Sequence, residues 1–175
     1  MAWSAATGAS SYEVTRLSPA HPNGSPEILT VGSNSFDDAG LTSNTVYIYR
    51  VRAVTGSGAS AVHSSGYSNY DVATTKVFTT INARQTTIRA AIFMEVRDMI
   101  NAMRAAAGLP PGTFSSTPQT HGLIRRVHLT EMRTGLDEAR ASLGMQQLTY
   151  AETTITPKVT TVKVSQIVEL RGGVQ

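Results

Sequence analysis

An internal repeat restricts this chain more than any other feature. Residues 88–109 and 124–145 align without a gap at a spacing of 36: Ile88-Arg89 falls on Ile124-Arg125, Glu95-Val96-Arg97 on Glu131-Met132-Arg133, Arg104-Ala105 on Arg140-Ala141, and Gly108-Leu109 on Gly144-Met145. Phe78, Phe114 and Tyr150 keep the same spacing. A third copy, Val162 to Arg171, is shifted by two further residues and stops after half a helix, which reads as the natural end of the array. A repeat of this length cannot bury its apolar face alone, so the copies must pack on one another. Each unit reads as an aromatic-led extended segment followed by one helix. The spacing is close to that of tetratricopeptide arrays, but the small and aromatic residues those helix pairs need are missing.

Helical periodicity carries the units. Ile88, Ile92, Val96, Met99, Ile100 and Met103 predict a helix over about 88–107, stopped by Gly108-Leu109-Pro110-Pro111-Gly112. Leu129, Met132, Leu136, Ala139 and Leu143 predict a second over about 127–143, with Gly144 as its stop. A short third is expected at 165–171, ended by Gly172-Gly173. The expected result is a small bundle of 2.5 repeats with period 36 over 76–175.

Up to about Thr75 the period is two, with turn residues every eight to twelve positions. That pattern predicts short antiparallel strands. Ser11–Leu17 and Glu27–Val31 read as strands, joined through Pro19–Pro26 with Asn23-Gly24 as a turn signal. The strongest strand is Thr45–Val54, with Tyr47, Tyr49, Val51 and Ala53 on a core face and Ile48, Arg50 and Arg52 on a wet one. A last strand is expected near 69–75, after the Gly/Ser-rich stretch Thr55–Ser68. The chain is therefore read as two domains, 1–75 and 76–175. Their link, Ala73 to Phe78, is too short and Gly-poor for a loose tether, so a fixed geometry is expected.

The first domain resembles a fibronectin type III domain from Trp3 to Thr75. Trp3 matches the B-strand Trp of that family, Tyr12-Glu13-Val14-Thr15-Arg16 its C strand, and Phe36-Asp37-Asp38-Ala39-Gly40-Leu41 the end of its E strand. Leu41 and Tyr47 match the tyrosine corner, and Tyr49-Arg50-Val51-Arg52-Ala53-Val54 matches strand F. The resemblance implies a β-sandwich lacking its A strand; either upstream sequence is missing, or a neighbouring chain or domain supplies the strand for the uncovered edge. The second domain resembles a helical repeat found at the C-termini of secreted bacterial proteins, with the pattern Ile-basic-Ala-x-His-x-x-Glu-Leu-Arg. Ile124-Arg125-Arg126-Val127-His128-Leu129-Thr130-Glu131-Met132-Arg133 carries it here, echoed at Glu95/Arg97 and Glu169/Arg171. That resemblance implies an exported bacterial protein and no particular activity.

Candidate chemistry is sparse. Without cysteine there is no disulfide framework, thiolate nucleophile or Cys-built zinc site. His128 and Glu131 are half of a possible metal site, but Ile92 and Gln166 replace His128 in the other copies, so a structural role is expected. His21, His63 and His121 have no partner at ligand spacing, and Asp37-Asp38 reads as a turn rather than a calcium site. Gly56-Ser57-Gly58-Ala59-Ser60 lacks the Lys-Ser/Thr of a phosphate loop. The repeated Glu95/Arg97, Glu131/Arg133 and Glu169/Arg171 pairs are the strongest polar signal and are expected to stitch the bundle. No catalytic, metal or cofactor residue is expected, and an enzyme is not.

Charge supports the same reading. Up to Thr75, Arg16, Arg50 and Arg52 face Glu13, Glu27, Asp37, Asp38 and Asp71, a net −2, so the overall +3 leaves +5 for the helical part. No basic stripe with interleaved aromatics marks a nucleic-acid surface, and no apolar run is long enough to enter a membrane. Charged residues make up only 15% of a chain rich in hydroxyl and small residues, a surface suited to packing against something. Two functions are expected in order. The first is an extracellular, non-catalytic structural protein of a surface assembly or filament, self-associating through the open sandwich. The second is an accessory adhesion module of a larger secreted protein, holding carbohydrate or a cell-surface partner, with Tyr67 and Tyr70 as candidate platforms.

Overall fold

A computed structural model describes residues 1–82, 89–118, 124–156 and 162–175; Ile88 and His121 lie outside them. The chain runs β1 (Ser11–Leu17), β2 (Glu27–Val31), β3 (Val46–Thr55), β4 (Val62–His63), β5 (Asp71–Thr74), α1 (Ala90–Ala106), α2 (Arg126–Ser142) and α3 (Val164–Gly172). The strands form one antiparallel sheet in the order β2-β1-β3-β4, with β5 also on β3. Register is set by the alternation: Val14 sits between Leu29 and Val51, and Thr15 between Ile28 and Arg50.

Val14, Tyr47 and Tyr49 form the core of one sheet face, with Trp3, Leu29, Val31, Phe36, Leu41 and Val51 packed around them. Only the isolated bridge Ala2–Ser35 pairs strand-like backbone above this face among the described residues. The opposite face is where the sequence reading fails. Ile48, placed on a wet face, is buried together with Val46, Leu17 and Val72. The reason is that the helices lie against this face, so these four side chains belong to the same apolar cluster as Phe93, Met99, Met103 and Leu129. A strand covered on both sides reads as a continuous apolar run, and Val46-Tyr47-Ile48-Tyr49 is one.

Two polar contacts fasten the sheet to α1. The Asn23 N–H donates to the Ala106 carbonyl at 2.9 Å, satisfying one of the carbonyls orphaned at the C-terminus of α1. The Thr74 hydroxyl lies 3.4 Å from Met99 Sδ. The Asn23-Gly24 turn is present, closed by the Ser25 N–H on the Pro22 carbonyl, but its glycine does not take the positive φ of a primed hairpin turn. Its nine-residue connection reaches across to α1 instead of tightening β1 onto β2.

The helices start and stop for visible reasons. Gly108 and Gly144 follow α1 and α2 at φ of +78° and +66°, the left-handed geometry that ends a helix cheaply with glycine. At the start of α2, the Arg125 N–H donates to His128 Nδ1 at 3.2 Å, and at the start of α3 the Lys163 N–H donates to Gln166 Oε1 at 3.0 Å. Each is the returning half of a capping box. Ile92, the corresponding residue of α1, cannot accept and is buried in the core.

Candidate functional site

The repeated Glu/Arg residues assemble three sites of one design, and each site joins two units. Arg97 of α1 lies 4.4 Å from the Phe114 ring centroid, donates to the Ser116 carbonyl at 2.7 Å and comes within 3.7 Å of Glu131 on α2. Arg133 of α2 lies 4.2 Å from the Tyr150 ring, donates to the Glu152 carbonyl at 2.5 Å and comes within 3.6 Å of Glu169 on α3. Arg171 of α3 lies 4.6 Å from the Phe78 ring, donates to the Thr79 carbonyl at 2.8 Å and meets Glu95 on α1 at 3.2 Å. The third unit thus returns to the first, and the bundle is a closed ring. Neither arginine nor glutamate pairs within its own helix, so the Glu-x-Arg spacing serves two different neighbours.

Each glutamate also fixes the extended segment of its own unit. Glu95, Glu131 and Glu169 accept the backbone N–H groups of Thr79, Ser115 and Ala151. The aromatic before each of those residues is thereby held in place to receive the arginine. Burial lowers the pKa of Arg97, with Glu131 opposing, and it lowers that of Arg171, with Glu95 opposing. A guanidinium still stays charged in such a setting, so each pair remains ionic. The sites are buried: Arg97 is 3% exposed, Arg133 7% and Arg171 9%. The three guanidinium groups are thus turned into the bundle, while Glu131 also lines the cleft over Arg104.

His128 belongs to the first of these joints, where it meets Ser116. Its Nδ1 accepts the Arg125 N–H, so its proton sits on Nε2, which lies 2.7 Å from Ser116 Oγ. Burial lowers its pKa, with the charges of Arg97 and Arg125 acting the same way and Glu131 opposing. In the third unit Gln166 reproduces the arrangement, donating to Glu152 at 2.5 Å. Among the described residues no group of three potential ligands could hold a metal ion. A second arginine series, missed by the sequence reading, stitches the far ends of the helices. Arg104 donates to the Pro110 and Gly135 carbonyls and pairs with Glu138, and Arg140 donates to the Gln146 and Gly173 carbonyls. A shallow polar cleft of about 200 Å³ lies over Arg104, between Thr113, Thr130 and Thr134. The signal for this series was the aligned Arg104/Arg140 pair itself.

The sheet carries two further clusters. Arg16 binds Glu27 and Asp38 at 2.5 Å each, and Tyr49 donates to the other Asp38 oxygen at 2.7 Å. Asp38 therefore spends its oxygens within the fold. On the opposite face Tyr70, Arg50, Tyr67 and Arg52 form an alternating stack: Arg50 is 4.8 Å from the Tyr70 ring and 3.9 Å from Tyr67, and Arg52 is 4.3 Å from Tyr67. Glu13 terminates it, accepting from Arg52, Tyr67 and His63. Burial works against the Glu13 carboxylate, but those hydrogen bonds and the Arg52 charge hold its pKa below the ordinary range.

At the other sheet face, Trp3 packs edge-on against Tyr12 at 5.3 Å, and Leu41 packs beside Tyr47. The Tyr47 hydroxyl accepts the Thr42 N–H at 2.9 Å, the bond that defines a tyrosine corner. Backbone groups of Met1 and Trp3 pair with Phe36 and Asn34. Ala2, bridged to Ser35 between those bonds, therefore turns its own amide outward. The Trp3 indole Nε1 is buried with no acceptor.

Comparison with protein families, curated proteins and solved structures finds no match to the chain. No helix among the described residues is long and apolar enough to cross a membrane.

Proposed function

We propose that this chain is a non-catalytic structural subunit of an extracellular or cell-surface assembly, built from a fibronectin-III-like sandwich and a helical repeat bundle, in which a strand from a neighbouring chain pairs with the edge beside Trp3. The observation that carries the reading is that edge. Met1 and Trp3 pair their backbone with Phe36 and Asn34 across the Ala2–Ser35 bridge, the flanking residues are exposed, and Trp3 packs on the apolar sheet face. An unpaired edge beside apolar surface is what strand addition needs. The tyrosine corner at Tyr47 and the order β2-β1-β3-β5 support the fibronectin-like assignment. Self-association also fits a low-charge surface with opposite net charges in its two parts.

The alternative, an accessory module holding carbohydrate, draws less support. Tyr67 and Tyr70 are the residues suggested for a sugar platform, and both stack on arginines. The test is light scattering of the purified chain across a concentration series, with electron microscopy of the largest species, on the chain as it is and with a β-strand fused ahead of Met1. Large particles that disappear with the fused strand support the reading. A chain that stays monomeric throughout, or particles unaffected by the fusion, overturns it.

A further inference from the structure

We infer that α3 is an exchangeable closing element: the surface it occupies on the first unit accepts the α3 of a second copy of this chain, giving domain-swapped oligomers. This rests on the reading of the chain as a self-associating subunit and assigns a second, separate contact to it.

Three observations carry the inference. The first is the equivalence of the three joints. Arg97 to Phe114/Glu131 and Arg133 to Tyr150/Glu169 join units adjacent in sequence, whereas Arg171 to Phe78/Glu95 joins the last unit to the first across 76–92 residues. A head-to-tail joint of this kind closes a ring within one chain or continues into the next chain with the same contacts. The second is the size of α3. It has nine residues against 17 in each of α1 and α2, too few to hold a helix without docking. Elements that depend wholly on docking open at the lowest free energy. The third is the docking chemistry. Ile167, Leu170 and Val174 are fully buried, Glu169 meets Arg133 of α2, and Arg171 supplies the ionic and cation–π joint to the first unit. A free α3 thus exposes an apolar stripe and an arginine whose complement is the vacated Phe78/Glu95 site of any other copy.

Mass action sets when exchange occurs. The tethered α3 competes at an effective concentration on the order of millimolar, so the closed monomer dominates in dilute solution and exchange needs high local concentration, as inside an assembly.

Charge-reversed chains test the inference. R171E and E95R each oppose like charges at the closing joint, and each variant alone is expected to melt below the parent chain. Mixed and refolded together, they restore opposite charges at both swapped joints. The expected result is a heterodimer, with one copy of each by native mass spectrometry, whose melting midpoint lies above that of either variant. The double variant E95R/R171E in one chain is expected to recover as a monomer, which shows that reversal itself is tolerated. Variants that stay separate on mixing, or a double variant that fails to recover, overturn the inference. As a second measurement, parent chains carrying V168C on the exposed face of α3 and labelled with donor or acceptor dyes are concentrated together and then diluted. Energy transfer that persists after dilution supports exchange, and its absence counts against it. Loss of exchange with particles still seen by microscopy removes this inference and leaves the Trp3 edge reading intact.

Discussion

Breaking one joint of the ring from its two sides should cost different amounts, and the difference follows from burial. Glu131→Gln keeps the acceptor for the Ser115 N–H but removes the charge facing Arg97, whose side chain is 3% exposed. An uncompensated buried charge costs about 3–5 kcal/mol. Arg97→Met removes the guanidinium and leaves Glu131, which is 18% exposed and still holds Ser115. That loss comprises a charged hydrogen bond to the Ser116 carbonyl, about 1.5–3 kcal/mol, and a cation–π contact, about 0.5–2 kcal/mol. Against it stand Arg97 Nε and Nη2, buried with no acceptor, whose removal relieves a desolvation penalty, and Met packing on Phe114. A net cost of about 2 kcal/mol results. The double variant should cost no more than Arg97→Met, because the glutamine then faces an apolar side chain. At roughly 2–4 °C per kcal/mol for a chain of this size, Glu131→Gln lowers Tm by about 6–20 °C and the other two by about 4–8 °C. Urea and thermal unfolding of the four proteins check the ordering. A cost for Arg97→Met equal to or above that of Glu131→Gln, or additive losses in the double variant, would refute the account of this joint as a buried pair.

Two further outcomes are expected. His128→Gln, which copies Gln166, should leave stability near neutral pH almost unchanged and remove part of its acid dependence; a folded-state pKa below the ordinary 6.5 means that the unfolded chain takes up the proton first, so the stability held above 6.5 is lost as pH falls through the folded pKa. Urea unfolding from about pH 7 to about pH 5 should show the variant gaining on the parent as pH falls, and parallel curves would contradict the assignment. Gly173→Ala places a methyl 2.5 Å from Leu148 Cδ1 and 2.6 Å from Leu136 Cδ2, so it should destabilise by about 1–3 kcal/mol through overpacking, seen as a lower urea midpoint.

The repeat and the period switch made the element list legible. Apart from β4, which falls in the Gly/Ser-rich stretch Thr55–Ser68 read as a loop, strands and helices stand within a few residues of their expected bounds because period two and period 3.6 are local properties of the sequence. What lay beyond the sequence was non-local. The alignment marked Glu95, Arg97 and their copies as a set, and their stitching role was expected, but nothing in one helix says which neighbour an arginine meets. Arg97 pairs with the glutamate 34 residues on, and Arg171 with one 76 residues back. The wet face of β3 failed for a related reason: Ile48 and Val46 are core only because another layer arrives, and the alternating Arg50 and Arg52 further along concealed it.

Arg50 and Ile48 share one face of one strand, and the two ends of that face do different work. At the Ile48 end the helices cover it and merge its side chains with the ring, which makes the sheet a platform for α1. At the Arg50 end the charges are covered by the loop aromatics Tyr67 and Tyr70 and balanced by Glu13. Among the described residues, what packs on the opposite face comes from the Trp3 segment and residues 32–42. A sheet closed by helices on one side and by short extended segments on the other has its least protected backbone beside Trp3. The joint at Arg171 is, by contrast, fully made and open to replacement only by its own equivalent. On the proposed reading, strand addition beside Trp3 and exchange of α3 would be two independent routes to association, and variants at Trp3 and at Arg171 separate them.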